Sequence, residues 1–174
     1  MQTRGPPSPP HWRPGAGGLL LPVAEDDPAV PALPLPAAAP GEAVAPVAGL
    51  HLTLLSTAAM APLVAALGPD TPPPALFWPR PPPPLQLGPL TLATAPPHPA
   101  KDPPGCATPR RTWHQPLRDQ AAWAAWLSAA LRAWEARWPA LPWPAPEAGR
   151  LYHLSRFNNR GGDPARSIGE VWAG

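Results

Sequence analysis

The sequence predicts an α+β domain made of two related strand-and-helix halves, and three observations carry that expectation. Residues 49–55 and 150–157 each alternate apolar and polar side chains, the pattern of a strand with one buried face. A proline-free span over residues 117–138 sets Leu117, Ala124, Leu127, Leu131, Trp134 and Trp138 at spacings of three, four and seven, the period of a helix buried along one side. A length of 174 residues supports one domain with a core of its own and is too short for two of ordinary size.

Taken from the start, residues 1–17 are rich in Pro, Gly and Arg without periodicity and read as a flexible leader; the domain occupies residues 18–174. Residues 18–23 form a first short strand. Pro28, Pro31, Pro34, Pro36, Pro40 and Pro46 then bar regular helix, so this stretch wraps the surface in extended form. Leu50, Leu52 and Leu54 alternate with His51 and Thr53 in a strand. Ser56 or Thr57 caps a helix that reaches about Leu67 and stops at Gly68-Pro69, with Pro62 delaying or distorting its first turn.

Residues 76–78 and 85–94 read as further strands on either side of the proline run 81–84, which lies in an extended connection. Residues 95–110 read as a loop. Pro116 opens the long helix and Pro139 ends it, while Trp123 and Trp126 widen the apolar face it turns to a sheet. In the strand at 150–157, Tyr152 and Leu154 share one face and His153 and Ser155 the other. A polar turn over 158–164 follows, and residues 167–172 close the fold as a last strand.

Proline fills 35 positions and glycine 14, yet hydrophobic residues make up 44%, nine residues are tryptophan and the net charge is only +2, a composition that collapses around a core. Lysine, isoleucine and tyrosine occur once each beside abundant Ala, Pro, Arg and Trp, the signature of a GC-rich coding background in which any single proline can be tolerated rather than selected. Residues 101–174 hold ten basic and six acidic groups, against three and five in residues 1–100. That asymmetry suits a phosphate-bearing ligand, and a solvated helix face would give it equally. Cys106 is the only cysteine, which excludes an internal disulfide. The start has no apolar signal core and Pro22 interrupts Leu19-Leu20-Leu21, so the sequence predicts a cytoplasmic protein with no membrane span.

His51-Leu52-Thr53 and His153-Leu154-Ser155 share one geometry. A two-residue step on a strand sets imidazole and hydroxyl side by side on one face, about 7 Å apart along the backbone. If the two strands are neighbours, two imidazoles and two hydroxyls converge on one small anion. Cleaving a phosphodiester needs a base for the attacking oxygen and an acid for the leaving one, and histidine serves as either near neutral pH. The Thr53 and Ser155 hydroxyls would donate to the non-bridging oxygens. The arrangement requires no metal or other cofactor, and Cys106, His98 and His114 lack a metal-ligand spacing.

Two His-hydrophobic-Thr/Ser motifs, one in each half of a small domain, resemble the two-histidine (2H) phosphoesterases, a superfamily that includes RNA 2′,3′-cyclic phosphodiesterases and 2′-5′ RNA ligase-like proteins. The likeness covers residues 18–174 in layout and only the motifs and their flanks in sequence. It implies a bilobal α+β domain whose two halves surround a central cleft, and a metal-independent phosphodiesterase acting on a cyclic phosphate or a 2′-5′ linkage. His51 and His153 would be the catalytic pair, Thr53 and Ser155 the phosphate ligands, and RNA or a nucleotide the substrate of a monomeric enzyme. The first motif continues with an apolar residue, as the family's does, but the second continues with Arg156, which either clamps phosphate or faces solvent at a strand end. Tyr152, Arg160 and Gly161 are candidate substrate-binding residues. The glycine-containing turn around Gly161 resembles one that follows the second motif in some members; its amides would bind an anion, or it is an ordinary connection.

Two other readings compete with this one. A non-catalytic RNA-binding module would use the basic C-terminal part and exposed tryptophans for stacking. A proline-rich interaction protein would dock its extended segments in a partner's aromatic groove.

Overall fold

The computed structural model describes residues 11–12, 18–68, 74–169 and 171–172, the first two as backbone only. In chain order the elements are β1 (His11–Trp12), β2 (Leu19–Pro22), β3 (Ala45–Pro46), β4 (His51–Leu55), α1 (Thr57–Leu67), β5 (Thr91–Ala95), β6 (Arg110–Pro116), α2 (Gln120–Arg137), β7 (His153–Asn158) and a 3-10 turn, Pro164–Arg166. One antiparallel sheet runs β1-β2-β4-β7-β6-β5, and β3 pairs with β7 beside β4. The class is therefore α+β, and the two motif strands are immediate neighbours. In the leader, His11 and Trp12 pair with Leu20 and Leu19; the rest of residues 1–17 lie outside the described residues.

The alternation read in the motif strands has a direct cause in packing. Leu52, Leu54 and Leu154 are fully buried and gather with Leu19, Met60, Leu63, Trp126, Leu127, Leu131 and Trp134 in one core between the sheet and the helices. Each such leucine contributes about 1.5–3 kcal/mol by leaving water. Ser56 caps α1 by accepting from the Ala59 amide, and Gly68 ends it at φ 74, where a residue with a Cβ would be strained. Pro62 lies within α1 and neither delays nor ends it. Its ring is on the exposed side, where the carbonyl it leaves unpaired can bond water.

Four assignments change. Of residues 85–94 only 91–94 are strand, in β5, with a single bridge from Leu87 to Leu117 before it. The long helix starts at Gln120 rather than Leu117, because the backbone of Leu117 and Arg118 is already bonded to Tyr152 and Gln86 and Asp119 takes the N-cap by accepting from Ala122. Residues 76–78 are not a strand. The Trp126 and Trp134 indoles donate to the Arg80 and Phe77 carbonyls, and the Trp78 ring lies 4.4 Å from that of Trp126, so side chains of α2 hold this stretch where a sheet partner would. Among the described residues of 167–172 there is a single bridge, Arg150 to Trp172, and no strand.

In chain order α1 follows the first motif strand, whereas α2 precedes the second. Among the described residues no helix is long and apolar enough to cross a membrane.

Candidate functional site

Leu52 pairs with Leu154 across β4 and β7. Continued one residue each way, that antiparallel register sets His51 across from Ser155 and Thr53 across from His153, all four on the face opposite the leucines. Residues directly opposite in such a pair have Cβ atoms about 4.5–5.5 Å apart, and diagonal ones stand about 7–8 Å apart. Both motifs thus meet on one patch of sheet.

The two imidazoles are held in the same way. His51 Nδ1 is 2.9 Å from the Gly49 carbonyl and His153 Nδ1 is 2.9 Å from the Leu151 carbonyl, in each case the carbonyl two residues back along the chain. A carbonyl only accepts, so in each ring Nδ1 donates and Nε2 is the nitrogen left for other partners; the His153 ring also meets the Ile168 backbone. Gly49 reaches this geometry at φ 62.

The environments of the two rings differ. His51 and Thr53 are partly exposed, whereas His153 is 5% exposed. Burial, opposed by the Leu151 carbonyl and reinforced by His114 and Arg150, lowers the His153 pKa to about 4. His153 is therefore neutral at pH 7. Part of its cover is the segment after the 3-10 turn: the Ile168 amide bonds Thr112 Oγ1, Ser167 Oγ accepts from Asn158, Arg150 donates to the Gly169 carbonyl and the Leu151 amide to the Val171 carbonyl.

A third histidine adjoins the site. His114 of β6 pairs directly with Ser155, its ring stands edge-on 5.0 Å from that of His153, and it is 4% exposed. Sequence reading missed it because β6 itself was not assigned. Arg110–Pro116 mixes charged, polar and aromatic residues, and it is buried on both faces, so no two-residue alternation marks it. The signal available was a six-residue proline-free stretch between Pro109 and Pro116 that contains a β-branched and an aromatic residue.

The other candidate residues lie differently. Arg156 is the extra residue of a β-bulge, since His114 pairs with Ser155 and Trp113 with Phe157. Its guanidinium donates to the Gln115 side chain and the Pro31 carbonyl, so it is neither at a solvent-facing strand end nor bonded to the motif residues. Tyr152 is buried in the core, which raises its pKa, and its backbone is clasped by the Gln120 amide. Arg160 is ion-paired to Asp102 at 2.6 Å and bonds the Thr108 carbonyl. The Gly161 amide is spent on the Ala43 carbonyl, and those of Arg160 and Gly162 on Asn158 Oδ1. The structure thus gathers His51, Thr53, His153 and Ser155, and sets Arg156, Tyr152, Arg160 and Gly161 in contacts of their own. Among the described residues no group of His, Cys, Asp and Glu is placed to hold a metal ion.

No protein-family model matches the chain, and neither the curated proteins nor the solved structures contain a match to it.

Proposed function

We propose that the protein is a metal-independent phosphodiesterase of the two-histidine type, acting on a cyclic phosphate or a 2′-5′ linkage in RNA or a nucleotide. The observation that carries this reading is the symmetry of the imidazoles: each has its Nδ1 committed to the carbonyl two residues back, and each stands diagonal to the other with Thr53 and Ser155 completing the square. That is the array a phosphodiester needs, with two Nε2 atoms for proton transfer and two hydroxyls for the non-bridging oxygens. The cleft and the two lobes of such enzymes belong to the same proposal.

In this mechanism neutral His153 takes a proton from water through Nε2 as the water oxygen bonds to phosphorus. The ester P–O bond breaks, and its oxygen takes a proton from the Nε2 side of His51, a partly exposed ring where solvent replaces that proton. The products are a phosphomonoester and a free hydroxyl, and the second cycle starts once His153 has released its proton. Substrate reaches His153 after the Ser167–Gly169 cover moves aside.

Two observations favour catalysis over simple RNA binding. Trp123, Trp126 and Trp134 are buried in the core and so are not free to stack on bases, which leaves Trp172 as the exposed tryptophan among the described residues. Arg111, Arg150 and Arg160 are each ion-paired to an acidic side chain, which leaves the basic C-terminal part less of its charge for phosphates.

The test is hydrolysis of 2′,3′-cyclic nucleotides by wild type, His51→Ala and His153→Ala, with circular dichroism to show that each variant is folded. Loss of about 10²-fold or more in kcat is expected for both. Full activity in either folded variant removes the reading.

A further inference from the structure

His114 carries a feature that core packing alone does not account for. Its Nδ1 is buried without a partner in full hydrogen-bond geometry among the described residues; burial lowers its pKa, and the Thr112 backbone, two residues back, only partly opposes this. An unmet buried polar group is destabilising, so one retained in a native fold calls for a partner or a role. A phenylalanine would keep the edge-on contact with His153 and avoid that cost.

Its placement points to what the nitrogen is for. His114 is directly across from Ser155, the hydroxyl assigned to a phosphate oxygen, and against His153, the assigned base. We propose that His114 is a third histidine of the site, whose ring nitrogen meets the same non-bridging phosphate oxygen as the Ser155 hydroxyl. This rests on the phosphodiesterase reading and extends it: the oxygen is held from two strands, β6 and β7. Charge that develops on it in the transition state is met by two donors.

The experiment compares wild type, His114→Phe and His114→Asn on 2′,3′-cyclic adenosine monophosphate, with melting temperatures measured on the same samples. The asparagine amide occupies the place of the imidazole Nδ1 edge, so it restores the hydrogen-bonding atom that phenylalanine lacks. For His114→Phe the expected result is a melting temperature equal to or above wild type, a kcat lower by about 10²-fold and a KM within about twofold. His114→Asn recovers most of the kcat. Undiminished kcat in His114→Phe overturns the proposal and leaves the phosphodiesterase reading standing. A lower melting temperature in His114→Phe with no recovery in His114→Asn overturns it in favour of a packing role. Absence of turnover in wild type defeats the phosphodiesterase reading and this inference with it.

Discussion

Lowering the pH should destabilise this protein through His153. With its pKa moved from the ordinary 6.5 to about 4, the folded state holds this imidazole neutral where the unfolded chain would protonate it. The unfolded state therefore binds more protons between those two values, and stability falls as pH drops through 6.5 and levels off below about 4. One pH unit of difference is worth about 1.4 kcal/mol, so from pH 7.5 to pH 4.5 the loss is about 2.5 kcal/mol. His114, which burial also shifts downward, adds in the same direction. The carboxylates do not blur this window. In Glu42 the Ala39 amide, with Asn159 and Arg111, outweighs burial; in Asp102 burial raises the pKa and Arg160, the His98 amide and Arg110 more than reverse it. Both end below their ordinary values of 4.5 and 3.8, so their stabilisation is full above pH 4.5 and is lost only below it. Urea unfolding of wild type and His153→Asn at pH 7.5, 6.5, 5.5 and 4.5 isolates the effect, because asparagine can keep the bond to the Leu151 carbonyl and does not titrate. The variant should lose about 2.5 kcal/mol less than wild type over that range. Equal losses in the two proteins would refute the burial argument for His153.

Other substitutions probe the supports of the site. A Cβ at Gly162 would stand 2.1 Å from the Pro46 carbonyl oxygen at a backbone φ of +78, so Gly162→Ala should destabilise by about 2 kcal/mol or more in thermal unfolding. Trp134→Phe leaves the Phe77 carbonyl without its indole donor and should cost about 1–3 kcal/mol, read by urea denaturation. Thr112→Val removes the acceptor of the Ile168 amide and should speed modification of His153 by diethyl pyrocarbonate, followed by mass spectrometry. An unchanged rate there would show that the segment does not guard the imidazole.

The parts of the fold legible in the sequence are those whose burial is one-sided. β4 alternates because its leucines face the helices and His51 and Thr53 face away, and β7 keeps the same alternation of residue types although His153 is itself covered; α1 and α2 are marked by caps and by an apolar stripe of the right period. β6 was illegible because Thr112, His114 and Gln115 are buried polar residues, which sequence patterns assign to the surface. His114 joins the site only through its pairing with Ser155, a contact between residues far apart in the chain. Residues 76–78 read as a strand for the opposite reason: Leu76 and Trp78 are partly buried against the core, Trp78 on Trp126 and Trp134 of α2, while Phe77 is exposed, and such a demand for burial looks the same in sequence whichever partner meets it.

Both imidazoles of the motif pair lean on peptide carbonyls, where many histidine sites use an aspartate or glutamate. A peptide group has no proton to gain or lose in the biological pH range, so the tautomer it selects does not drift with acidity. It also survives any side-chain replacement at Leu151, which makes this support invisible to alanine scanning. Only at Gly49, where φ is 62, does the support depend on residue type. A mutational survey that found the neighbours of these histidines permissive would thus be reading the robustness of the main chain.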